Sequence, residues 1–321
     1  MSAGQSREAI YHDTRDLTPF GSPQVRTPAR DIAAGVGGIL HTALGGRNGA
    51  LLSVDGAIPR LKRIPGKAAK EVHEAIFHNP DPNRLIATGR TYPGWAGFCY
   101  VMAGLLAHKQ GEYLRASELL QRGLTTRNDD DANQFASGYL TRLVTRVEVA
   151  ERIEVPVLFS EEAVFLALSH SLRETGHLEA ALQTVASLPP SLPAALARCS
   201  VAFSLGRDKE VMVWTEGLLN ADDLSAALLL IRARSLRRFG ASTAAQAALK
   251  EVLRRKKTHL ALRHDALTDR ALLLLDNGRK SLNPRDWLRG RPAALETFEV
   301  IRKDVEERRL WEQEWKQLNG E

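Results

Sequence analysis

Aromatic side chains make up only 6% of this 321-residue chain, and cysteines number two. No apolar run approaches the ~18 residues a membrane-spanning helix needs; the longest candidate, Ala226 to Ile231, is far too short. Two cysteines, Cys99 and Cys199, without clustered histidines cannot supply a zinc-finger ligand set. Both sit among apolar neighbours on segments that read as helices. The expectation is two buried free thiols in a reducing compartment. The first residues lack the charged-then-apolar layout of a signal peptide. The chain is expected to be soluble and cytoplasmic.

Catalytic and ligand motifs are scarce too. His73 and His78 are five apart, so they do not stack on one helix face. No H-E-x-x-H, G-x-S-x-G or Walker pattern occurs. The glycines at 35, 37, 38, 45, 46 and 49 miss the phosphate-loop spacing, with no strand before them. Gly278-Arg279-Lys280-Ser281 follows a helical pattern rather than a strand. The acidic runs Asp129-Asp130-Asp131 and Glu161-Glu162 fall at helix starts, where the helix dipole stabilises negative charge. No enzyme, cofactor or metal site is expected.

What is abundant is Ala and Leu, which suits close helix-on-helix packing. The net charge is +6 and the isoelectric point about 9.4, but the charge is uneven. Residues 1–95 carry +4, residues 96–225 carry −6 and residues 226–321 carry +8. Residues 1–65, rich in Gly and Pro, read as a flexible or weakly ordered leader. A short helix is expected over 66–78, stopped by Asn79-Pro80-Asp81-Pro82. A further helix is expected over about 131–152, followed by an irregular link where Val, Ile and Pro156 interrupt the pattern, and another over 259–277. Pro292 to Leu318 reads as one long amphipathic helix, serving as a terminal cap or a dimerisation helix.

Between these ends the chain repeats. Gly111, Gly176, Gly206 and Gly240 frame similar Leu/Ala segments at separations of 65, 30 and 34 residues. In the clearest unit, 97–130, Gly104 is a small residue at a helix crossing and Gly111-Glu112-Tyr113 forms the turn. Ala116 and Leu120 follow in the second helix. Corresponding positions are Ala181 and Val185, then Cys199 and Val211, then Ala233, Ala245 and Leu249. A period near 34 built of two helices resembles the tetratricopeptide-repeat (TPR) family. The resemblance covers roughly residues 96–257.

That resemblance implies an all-α fold: a right-handed superhelix of stacked antiparallel helix pairs over 66–291, closed by a capping helix over 292–321. It implies a non-enzymatic scaffold whose concave groove takes a peptide or protein partner. Groove positions correspond here to His108, His170, Arg173, Arg234 and Arg237, with Ser200 and Phe203 between. Their basic character suggests an acidic partner. The Lys and Asn set with which the best-known family groove grips a terminal carboxylate is missing. Neither Arg234 nor Arg237 is expected in the core. The alternative is a nucleic acid or other polyanion bound through Lys250, Arg254, Arg255, Lys256 and Lys257, which with Arg263 face only one acid, Glu251. No aromatic platform interleaves with that cluster.

Overall fold

The computed structural model describes residues 52–53, 66–78, 80–140, 143–150 and 153–280, together with Glu299, Arg302 and Lys303. The expected leader lies outside the described residues apart from 52–53, and the terminal helix apart from those last three, which are helical. The chain is mostly helical, with twelve α-helices among the described residues and a small antiparallel sheet. It divides into two compact units at Leu205/Gly206, inside the segment expected to form one repeat array.

In the first unit, α1 (Lys67–Phe77) ends where expected, and Asp81 caps the next helix, α2 (Pro82–Thr91), by accepting from the Asn83 N–H at 2.9 Å. Proline in the first turn costs nothing because its missing N–H would have no helical partner. Helices α3 (Ala96–Lys109) and α4 (Tyr113–Thr125) form the closest-packed pair of the unit. Gly104 faces Leu120, and Gly123 faces Val101. A Cβ at either glycine would meet those neighbours at 2.6–2.7 Å.

The turn between α3 and α4 has a definite chemistry. Gly111 takes φ +79°. Its N–H donates to the His108 carbonyl at 3.0 Å, and the Glu112 N–H reaches back to the Ala107 carbonyl at 3.0 Å. This pair of bonds, closed by one left-handed residue, satisfies carbonyls that the helix end would leave open. The pattern recurs where Gly176 joins α6 (Glu161–Glu174) to α7 (Leu178–Ala186), with bonds from Gly176 to Arg173 and from His177 to Leu172. It recurs again at Gly240, which bonds to Arg237 while Ala241 bonds to Leu236. Gly206 is also left-handed and lies between α8 (Leu192–Ser204) and α9 (Asp208–Trp214). All ten crossing and filling positions named from the repeat are buried.

The expected helix over 131–152 is corrected. Only α5 (Asp130–Phe135) and a π turn, Ala136–Leu140, are helical there. Beyond them lie β2 (Leu143–Ala150) and β3 (Ile153–Leu158), paired antiparallel with Val147 opposite Val155. A two-residue strand, β1 (Leu52–Ser53), pairs with the other edge of β2. The physical reason is a period-two pattern: Thr145, Val147 and Val149 are buried while Arg146 and Glu148 between them are only half-buried. β-branched residues fit a pleated surface better than a crowded helix. Pro156, which interrupts helix periodicity, is tolerated because β3 is an edge strand. The described fold is therefore mostly helical rather than purely helical.

Trp95, Phe98, Phe135 and Phe159 gather around α5, with ring centroids 5.4–6.4 Å apart. Ser160 caps α6, and Ser191 caps α8 through the Ala194 N–H at 3.1 Å. The Ser191 hydroxyl also donates to buried Glu162, tying the starts of α6 and α8 together. Burial nonetheless holds the Glu162 carboxyl above its ordinary range. Cys99 and Cys199 are buried free thiols, pushed up to about 12 by loss of solvent.

In the second unit, α10 (Asp223–Arg238) begins with a reciprocal cap between Asp222 and Ser225. It pairs with α11 (Ser242–Arg254), and α12 (Leu260–Lys280) packs on both. The end of α11 is clasped by Asn220, whose side-chain amide donates to the carbonyls of Glu251 at 3.1 Å and Val252 at 2.9 Å. Asn220→Ala is expected to leave the Glu251 carbonyl unpaired and the Val252 carbonyl with only the Thr258 hydroxyl at 3.4 Å, and to cost ~2 kcal/mol. Urea unfolding would read this as a lower midpoint with an unchanged slope.

Candidate functional site

Four of the positions singled out in the sequence, His108, His170, Arg173 and Ser200, come together in the first unit. His108 is in the last turn of α3. His170, Arg173 and Glu174 share one face of α6, at spacings of three and four. The α3–α4 turn at Gly111 brings Tyr113 back over His108, with ring centroids 5.7 Å apart, and Tyr113 also meets His170 edge-on at 5.2 Å. His108 Nε2 lies 3.2 Å from His170 Nδ1, a single hydrogen bond joining α3 to α6.

The remaining nitrogen of His170 faces the other way. Its Nε2 is buried without a hydrogen-bond partner, 3.7 Å from both Glu148 Oε2 on β2 and Glu174 Oε1. Arg173 binds Glu174 through Nη2 at 2.8 Å and donates from Nη1 to Ser200 on α8 at 2.8 Å. Burial, then the neighbouring His108 and Arg173, hold the His170 imidazole down to about 3, and burial holds His108 down to about 4. Both rings are neutral at neutral pH. Burial also raises the Tyr113 phenol, helped by Glu148 and Glu174.

In the second unit, the face of α10 that carries Arg234 and Arg237 is turned toward α12. Arg234 Nε donates to Asp269 Oδ2 at 2.7 Å, and its Nη2 lies 3.7 Å from Asp265. Arg237 Nε donates to Asp276 Oδ2 at 2.6 Å. Both arginines are half-buried, and each already holds a carboxylate of its own chain. Burial raises the Asp269 carboxyl in spite of Arg234.

The basic stretch is also partly engaged. Arg254 forks onto Glu251 at 2.8 and 2.9 Å. Arg255 reaches Asp223 at 3.1 Å, and Arg263 donates to the Lys256 carbonyl at 3.3 Å. Lys250, Lys256 and Lys257 are exposed.

Sequence reasoning missed Glu148, Glu174 and Tyr113 around the histidine pair, and Asp265, Asp269 and Asp276 opposite the arginines. For the aspartates there was a signal: spacings of four and seven place all three on one face of α12. Among the described residues, no group of three His, Cys, Asp or Glu side chains is placed to hold a metal ion. No described helix is long and apolar enough to cross a membrane. The class defined so far is a mostly helical protein built on Gly-turned helix hairpins. Comparison with protein-family models, curated proteins and solved structures finds no match.

Proposed function

We propose that this chain is a TPR-like, non-enzymatic interaction scaffold whose first-helix faces receive a peptide or protein partner. One observation carries the reading. The same turn, a left-handed glycine closed by the same two backbone bonds, recurs at Gly111, Gly176 and Gly240 with small buried residues beside it. A unit repeated in this way is how a helical array builds an extended binding surface. Guanidinium groups on such faces suit an acidic partner, because they grip carboxylates through paired hydrogen bonds. A partner carboxylate at Arg234 or Arg237 competes with Asp269 and Asp276, so it exchanges one ion pair for another.

A photo-crosslinking residue placed at 173, 203, 234 or 237 should capture the partner in the native cell, identified by mass spectrometry. The same residue in place of Glu118 or Gln246, both exposed on second helices, should not. Capture from second-helix positions alone would end the groove reading. A second reading, a polyanion held near Lys250, Lys256 and Lys257, is favoured by their exposure. It requires duplex DNA binding whose affinity falls steeply with salt.

A further inference from the structure

We propose that the His108–His170 contact, with Glu148 and Glu174 behind it, is an acid-sensitive latch joining α3 to α6. The geometry sets its proton chemistry. A lone pair on His170 Nε2 would face two carboxylate oxygens at 3.7 Å, so those oxygens favour the tautomer with its N–H there. His170 Nδ1 is then an acceptor, and His108 Nε2 supplies the proton of the 3.2 Å bond. One added proton leaves the joint intact, since a cationic ring can donate to a neutral one. With both rings cationic, two N–H groups face each other across that gap, both charges are buried, and the bond cannot form.

The other titratable and charged groups around the pair come from α3, α4, α6, β2 and β3. Lys109 continues α3, and Tyr113 opens α4. Arg173 and Glu174 follow on α6, Arg146 and Glu148 sit on β2, and Glu154 on β3 lies 3.9 Å from Arg146. Arg173, like His108, opposes a charge on His170. The closed joint therefore binds fewer protons than the open one, whose histidines titrate at ~6.5. The sign follows from linkage. Closure is fully present above about pH 6.5, and it weakens as pH falls toward about 4 and then about 3, where the rings finally charge in place.

Amide hydrogen exchange of the full chain, corrected for intrinsic rates, tests this between about pH 6 and about pH 4.5. Opening that takes up two protons should rise ~100-fold per pH unit for amides near 107–113 and 169–174, a steepness that amides of α10 do not share. His170→Gln or His108→Gln should each reduce the steepness to ~10-fold per unit. His177→Gln, exposed in the neighbouring turn, should leave it at the wild-type value. If the joint amides follow those of α10, or if both Gln variants keep the wild-type steepness, the latch is refuted. Should a Gln variant fail to fold, the steepness in the wild type decides alone.

Discussion

Gly123→Ala is expected to destabilise the chain by ~3 kcal/mol, the upper part of the range for overpacking. The added Cβ would lie 2.7 Å from the Val101 backbone nitrogen, 2.6 Å from Val101 Cγ2 and 2.9 Å from the Gly97 carbonyl oxygen. Two of these three are backbone atoms of α3, so relief requires the two helices to separate rather than a side chain to turn. Gly104→Ala meets Leu120 Cγ at 2.7 Å and the Leu120 nitrogen at 3.0 Å. Leu120 can rotate in part, so a smaller loss of ~1–2 kcal/mol is expected. Gly104→Leu and Ala181→Leu add more volume at buried crossings and should cost at least as much.

Gly111→Ala separates space from dihedral. Nothing lies within 4 Å of a Cβ there, yet φ is +79°, and its cost is the ~1–2 kcal/mol of a left-handed alanine. Urea unfolding of the variants should therefore rank Gly123→Ala below Gly104→Ala. A Gly123→Ala midpoint equal to the parent's would show that α3 and α4 do not approach as closely as described.

These glycines also show why part of the fold was legible. A left-handed turn and a backbone-to-backbone crossing each admit almost nothing but glycine or a small residue, so both leave marks in the chain. Gly111, Gly176 and Gly240 thus predict hairpin turns, and Gly104 and Ala181 predict buried crossings. The segment 143–158 misleads for the opposite reason. Its alternation of Thr145, Val147 and Val149 is short, and it adjoins a true helical start at Asp130, so the strand resembles the tail of a helix. The two histidines were each legible as groove positions, but their pairing was hidden by distance along the chain. His108 and His170 are 62 residues apart, and a search for pairs on one helix cannot find them. What brings them together is the packing of α3 against α6, with β2 supplying Glu148 from an element that the sequence did not lead us to expect.

Reversing both arginines, Arg234→Glu with Arg237→Glu, is expected to cost ~2–4 kcal/mol of stability as well as any partner binding. Arg234 faces Asp265 and Asp269, and Arg237 faces Asp276. Reversal sets carboxylate against carboxylate on α10 and α12, and it leaves Asp269, only 10% exposed, without its counter-charge. Breaking a fully buried ion pair costs ~3–5 kcal/mol, and the partial exposure of both arginines lowers that figure. Loss of partner capture in this double variant would therefore mix binding with unfolding. Two further variants separate them. Arg234→Asp combined with Asp269→Arg restores opposite charges across α10 and α12, so its urea midpoint should recover much of what Arg234→Asp alone loses. Arg234→Gln combined with Asp269→Asn removes both charges, the second change without altering shape, and should stay folded. If this neutral pair still captures the same partner with the same salt dependence, Arg234 is a structural tie to α12 and not a binding residue. If capture weakens several-fold while the midpoint holds, the guanidinium that Asp269 occupies at rest is the group the partner's carboxylate takes over.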